Sequence, residues 1–396
     1  MRSCFRMRSC FLLLAALSTW AFASPDEAAL GKNEGYPACK AQEAAARGEA
    51  CLVGTLSHMA ELYPARKVAH GAPRELKRAE NPAVMADEYM AANRDTGLMV
   101  IKDGVILAER YGYDRKPAER FHSYSMAKTV VGMLVGIAMS EGKIASIDDL
   151  AEKYVPALKG HPYGQTTLRD LLTMSSGVAF TEIYDGKDDV TKLAMMTIGQ
   201  QGPGGADSVM PFTNRERPAG TKFSYSSAES EVLGLVLRAA TGRTLADYLS
   251  EKIWIPMGAE SDAYWLVDAG GYELGYMGLN ATLRDWGRLG VLLANYGALD
   301  GRQIIPAAWV KEATSVHAPH LEVGVATHWN GYGYQTWLIR KGTPMFALFG
   351  LRGQAVYVDP VSKLVIVHTA VYGVDGSERR AQFEYLFGTL KTLSAQ

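Results

Sequence analysis

Ser125-Met126-Ala127-Lys128 sets a hydroxyl and an amine three residues apart, on one face of a helix if that helix begins at the serine. A helix start also presents unpaired backbone N–H groups to whatever sits on the hydroxyl. An amine held against a hydroxyl makes serine nucleophilic without a histidine. Tyr225-Ser226-Ser227 offers a phenol as a second proton-transfer group, with a short polar side chain two positions on. The chemistry these residues suit is attack on an amide or ester carbonyl. Ser125 is the candidate nucleophile and Lys128 and Tyr225 the candidate proton-transfer pair, with water clearing an acyl-serine. Either neutral Lys128 takes the serine proton, or charged Lys128 holds Tyr225 as a phenolate base, and the sequence leaves both open.

Spacing alone does not single out these residues. Ser140-Glu141-Gly142-Lys143 fits the same template, and Tyr248-Leu249-Ser250 duplicates the second motif. Context separates the copies, because Ser125 opens an apolar stretch whereas Ser140 closes one beside a glycine. There is no Gly-x-Ser-x-Gly elbow, which disfavours an α/β-hydrolase triad. His122 is too close in sequence to Ser125 to be its obvious base. The intervals between His317, His320 and His328 suit a loop, so neither metal nor cofactor is expected. Asp185, Asp188 and Asp189 either attract a cationic amine or form a solvated loop.

The elements that must position these groups follow from periodicity. Residues 97–111 read as two β-prone runs around Asp103-Gly104, a type I′ turn pair. An apolar helix is predicted over 121–139, and others over 167–173, 226–242, 245–253, 281–293 and 380–392. Ser146 to Leu150 reads as a capped helix start. Strands are predicted over 334–339, 345–349, 355–358 and 364–369. Residues 181–220 are polar and rich in Gly and Pro, either an active-site wall or a surface loop. Hairpin, helices, strands and helix in that order give an α+β fold: an antiparallel sheet flanked by helices, with a helical insert lobe. The sheet lobe is expected at about 95–122 and 282–396, the helical lobe at about 123–281, and an N-terminal extension at 24–94.

The formal net charge is −1 over 396 residues, which gives no electrostatic reason to expect nucleic acid. Arg2, Arg6 and Arg8 precede an apolar run ending in Ala21-Phe22-Ala23, so residues 1–23 read as a secretory signal peptide. Its removal would leave no membrane span and a periplasmic or secreted protein. It would also leave two cysteines, Cys39 and Cys51, able to close an intrachain disulfide in an oxidising compartment.

Three stretches together resemble the serine β-lactamase and penicillin-recognising family, in its class C and esterase-like branch. They are Ser125 to Lys128, Thr167-Leu-Arg-Asp-Leu-Leu-Thr-Met-Ser-Ser-Gly177, and Pro218-Ala-Gly-Thr-Lys-Phe-Ser-Tyr-Ser-Ser227. The last runs on through Gly242 and Ala246-Asp-Tyr-Leu249. Within that family the chain is most similar to the 6-aminohexanoate-dimer (nylon oligomer) hydrolases, which share Tyr-Ser-Ser and a Ser-Gly-Val-x-Phe-x-Glu-x-Tyr pattern like residues 176–184. The resemblance implies an oxyanion hole from the backbone N–H groups of Ser125 and Leu351, and substrate contacts from Ser227, Tyr184 and Gly350. Asn280 either faces the cleft or caps the following helix. Two departures stand out. Ser227 takes the place of the family's usual Asn. Phe349-Gly-Leu-Arg-Gly-Gln354 stands where Lys-Thr-Gly is usual, so Arg352 is the candidate replacement cation, with different reach. The expected function is an exported serine hydrolase acting on small amides or esters. The alternatives are a β-lactamase or D-alanyl-D-alanine carboxypeptidase, and a non-catalytic binding protein on the same scaffold.

Overall fold

Alternation along one strand decides the architecture. In Asp95–Lys102, Leu98 and Val100 face one side and Met99 and Ile101 the other, and all four are buried, so the strand must be covered on both faces. A computed structural model of the chain, describing residues 26–79, 86–374 and 379–394, shows how. Eight strands form the main sheet, in spatial order Gly331–Tyr332, Trp337–Leu338, Phe346–Phe349, Ala355–Asp359, Leu364–Ala370, Asp95–Lys102, Val105–Tyr111 and Lys77–Arg78. All neighbours pair antiparallel except the last two strands, which are parallel. The helix Leu283–Ala294 packs over Met99, Ile101, Val365 and Val367. The helix Arg379–Ser394 brings Leu386 against Leu98, Val100 and Ile366 on the opposite face. The predicted hairpin is present, with Asp103 at φ 50° and Gly104 at φ 77°, as a type I′ turn requires.

A second sheet has four strands, in the order Ala65–Val68, Ala263–Leu266, Leu279–Thr282 and Arg120–His122. Two of these strands lie in the stretch read as a helical lobe. Residues 65–68 and 77–78 of the stretch read as an extension are woven into the two sheets. The helix predicted over 121–139 runs instead from Met126 to Ser140, and Phe121 belongs to a strand. Apolar residues run unbroken across both elements, and periodicity cannot divide a buried strand from a buried helix. Ser146 and Asp149 form a turn rather than a helix start, with the Ser146 N–H on Asp149 Oδ2 at 3.1 Å.

Three helices open on Thr-Leu-x-Asp. Thr167-Leu-Arg-Asp170, Thr244-Leu-Ala-Asp247 and Thr282-Leu-Arg-Asp285 each place the threonine hydroxyl under the aspartate's backbone N–H, at 3.1, 3.0 and 3.1 Å. Each hydroxyl in turn donates to the aspartate side chain, at 2.7, 2.6 and 2.8 Å. The threonine hydroxyl caps each helix, and the aspartate carboxylate holds that hydroxyl in place. Cys39 and Cys51 are joined by a disulfide. Among the described residues no helix is long and apolar enough to cross a membrane, and the expected signal segment 1–23 lies outside them.

Candidate active site

The strand Arg120–His122 feeds a sharp turn, with Tyr124 in the left-handed region at φ 42°, and this delivers Ser125 to the N-cap of the helix Met126–Ser140. That helix is buried from Met126 to Ala138, so Lys128, one turn in, is only 1% exposed. Its Nζ lies 2.9 Å from Ser125 Oγ, 3.0 Å from Ser227 Oγ and 3.1 Å from the Tyr276 carbonyl oxygen. It also sits 4.9 Å from the centre of the Tyr225 ring. Tyr225 stacks on Trp337 at 5.2 Å and reaches Ser125 with its phenol.

Burial lowers the Lys128 pKa to about 8, against the opposing carboxylates of Glu182 and Glu231. Burial pushes the Tyr225 phenol the other way, well up, with Glu182 adding to the rise and Ser125 and Arg379 offsetting part of it. Near neutral pH the phenol is therefore a proton donor, and the amine is the group within reach of losing its proton. Burial also pushes Glu231 up to about 8; its one bonded oxygen accepts from the Gly275 N–H at 2.8 Å.

Ser125, Tyr225, Tyr184, Gly350 and Leu351 line one cavity of about 1210 Å³, with Glu182 beside them. Its far walls are apolar, from Trp337, Ile339, Phe349, Phe383 and Phe387. Gly350 is required here by space: a Cβ at this position would lie 2.2 Å from the Ser123 carbonyl oxygen. Its missing side chain lets the Gly350-Leu351 backbone approach the Ser125 turn. Ser227 adjoins the cavity through Lys128 and Glu182.

Two expected residues are elsewhere. Asn280 is buried, with Oδ1 3.0 Å from His122 Nδ1 and its amide on the Tyr264 and Gly278 carbonyls. It ties strands together, and the cap of the following helix is Thr282. Arg352 takes φ 59°, which turns its guanidinium onto the Tyr372 carbonyl at 2.9 Å. The guanidinium near Gly350 is that of Arg379, which donates to the Gly350 carbonyl at 3.2 Å and covers the Phe349 ring at 4.5 Å. His122 is buried, with its pKa lowered to about 4, so it stays neutral. The aspartate cluster holds its own loop. Asp188 accepts from the N–H groups of Ile183, Tyr184 and Thr191, at 2.8, 2.6 and 3.1 Å, Asp189 from Thr181, and Asp185 from Lys187 and Asp188. His317 stacks on Tyr334, His320 contacts Ser175 and His328 lies against Trp329.

Sequence reading passed over Glu182. It accepts from the Ser227 N–H at 2.8 Å, the Ser227 hydroxyl at 3.0 Å and the Tyr184 hydroxyl at 2.8 Å. The only trace of it in the sequence is its place two residues before Tyr184 in the 176–184 pattern. The Tyr276 contribution is a backbone carbonyl, for which residue type carries no signal.

The fold accords with the comparisons. The chain belongs to the Beta-lactamase family, whose model matches residues 83–386. The 6-aminohexanoate-dimer hydrolase of Paenarthrobacter ureafaciens is 26% identical over 277 residues, covering 68% of this chain and 70% of that protein. The solved structure named "Putative 6-aminohexanoate-dimer hydrolase from Bacillus anthracis" matches with a TM-score of 0.77 at 25% identity, covering 87% of this chain and 95% of the other. A protein of Escherichia coli (strain K12) named "Putative D-alanyl-D-alanine carboxypeptidase" is 27% identical over 199 residues, covering 43% of this chain and 44% of its own length. The family and these relatives make the chain a β-lactamase-family hydrolase.

Proposed function

We propose that the protein is an exported serine hydrolase that cleaves small amides or esters through an acyl-serine, in the manner of the 6-aminohexanoate-oligomer hydrolases. One observation carries this reading: a buried amine lies 2.9 Å from the Ser125 hydroxyl, at the head of a large cavity. Neutral Lys128 takes the Ser125 proton as the oxygen bonds to the carbonyl carbon, and the carbonyl π electrons move onto its oxygen. The N–H groups of Ser125 and Leu351 receive the oxyanion. When the tetrahedral species collapses, the protonated phenol of Tyr225 gives its proton to the leaving amine or alkoxide. The Lys128 proton then resets Tyr225, and water repeats the sequence on the acyl-enzyme. The disulfide between Cys39 and Cys51 supports export to an oxidising compartment.

The test is a parallel assay of wild type and Ser125→Ala on short-chain nitrophenyl esters, 6-aminohexanoate dimer and nitrocefin, with mass spectrometry for an adduct on Ser125. Turnover of the dimer or the esters that vanishes in the variant is the expected result. Near-normal hydrolysis by Ser125→Ala rules the assignment out, and nitrocefin turnover as the dominant activity replaces it with a β-lactamase.

A further inference from the structure

We propose that Glu182 is a positioning residue that fixes the direction of the protons in the Ser227–Lys128–Ser125 hydrogen-bond chain. The proposal rests on the assignment of Lys128 as the base for Ser125. A carboxylate only accepts hydrogen bonds, and a serine hydroxyl has one proton to give. The Ser227 hydroxyl donates to Glu182 at 3.0 Å, and Glu182 is locked in place by the Ser227 N–H and the Tyr184 hydroxyl. With its proton committed there, Ser227 turns only lone pairs toward Lys128, 3.0 Å away. The Tyr276 carbonyl, 3.1 Å from the same nitrogen, likewise only accepts. Two Lys128 protons are thereby assigned, to Ser227 and to Tyr276. The remaining position on the nitrogen faces Ser125 at 2.9 Å. In the charged amine that position holds a proton. In the neutral amine it is a lone pair aimed at the hydroxyl that must lose its proton. Without Glu182, Ser227 is free to rotate and donate its own proton into that lone pair, which silences the base.

The groups facing Lys128 come from four segments. They are Ser125 on its own helix, Glu182 on its loop, Tyr225, Ser227 and Glu231 on the segment 225–241, and Tyr276. Of these, Glu182 and Glu231 favour the charged amine. Removing the Glu182 charge therefore moves Lys128 toward the neutral form at a given pH.

The test compares wild type, Glu182→Gln, Ser227→Ala and the double variant of the full chain on p-nitrophenyl acetate across pH 6–10. Rates are normalised to the fraction labelled by a fluorophosphonate, so misfolded protein does not count. In Glu182→Gln the plateau kcat falls about 10- to 100-fold, as for other groups that orient a reacting residue, with little change in KM. The acid limb of kcat/KM moves to lower pH, which a merely structural role would not produce. The double variant is no worse than the more damaged single variant, because both break one chain. An unmoved limb, strictly multiplicative losses, or a rise in KM at constant kcat overturns the proposal; the last makes Glu182 a substrate contact. Retained turnover in Ser125→Ala would instead overturn the parent assignment, so the two failures are distinguishable.

Discussion

One helix carries the Ser-x-x-Lys pattern at both ends, and the two ends have opposite fates. At its start, Ser125 is the N-cap of Met126–Ser140 and Lys128 is buried with three oxygen partners. At its end, Ser140 spends its hydroxyl on the Ile137 carbonyl at 2.8 Å, and Lys143 is exposed beyond the left-handed Gly142. The residue types and spacing are identical. What differs is water and helix polarity. Burial, opposed in part by the carboxylates of Glu182 and Glu231, lowers the Lys128 pKa to about 8, whereas Lys143 lies in solvent. The N-terminus directs N–H groups toward negative charge, while the C-terminus directs carbonyls that favour the cation. On the proposed reading a nucleophile arises where the chain removes the amine from water, and spacing only makes that possible.

Substitutions that treat the two ends alike separate these causes most sharply. Ser125→Ala is expected to lower kcat on a nitrophenyl ester at least about 10⁴-fold, and Ser140→Ala to leave it within about twofold. Equal effects would mean the helix as a whole, rather than its start, supports turnover. Lys128→Met, close to the lysine stem in volume, is expected to cost about 10²- to 10⁴-fold, against no measurable loss for Lys143→Met. Steady-state kinetics on purified variants checks both pairs.

The same contrast appears in pH. As the proposed base, Lys128 must be unprotonated to work, and burial has lowered its pKa to about 8. Activity should therefore rise about tenfold per unit of pH below that value and level off above it. Tyr225, pushed up by burial, keeps its proton through this range and adds no limb of its own. A kcat/KM profile flat from pH 6 to 9 would remove Lys128 from the role of base.

How much of this was legible depended on whether the signal lay in residue type or in backbone. Ser125 stood out because an apolar run begins beside it, and the hairpin because Asp103-Gly104 is a turn pair. The strands at 346–349, 355–359 and 364–370 followed from short β-prone runs. Arg352 misled because proximity in sequence to Gly350 suggested proximity in space. Its left-handed backbone turns the guanidinium away, and a cation 29 residues beyond Gly350, Arg379, arrives on a helix instead. Glu182 stayed hidden because it acts through a Ser227–Lys128 contact that spans 99 residues, and the Tyr276 carbonyl because it meets Lys128 directly across 148 residues with a backbone atom. The short strands Ala65–Val68 and Ala263–Leu266 carry too few residues to show a period, yet they pair with each other.

A finer version of the comparison concerns stability rather than rate. Thr167, Thr244 and Thr282 hold their N-cap backbones extended, with ψ of 152°, 153° and 155°, and each hydroxyl caps its helix. Ser125 occupies the same position at ψ −4°, in the helical region, and its side chain makes no capping bond. Extended geometry aims the hydroxyl at the first free N–H groups. Helical geometry turns it away, and here it meets Lys128 instead. Thr244→Ala should therefore cost about 1 kcal/mol of stability, the usual worth of a cap, and leave kinetics unchanged. Ser125→Ala should do the reverse, abolishing turnover while the denaturation midpoint stays put. Urea unfolding of the two variants side by side decides it. A loss of stability in Ser125→Ala equal to that in Thr244→Ala would show that the Ser125 hydroxyl supports the fold in solution and is not held free for chemistry.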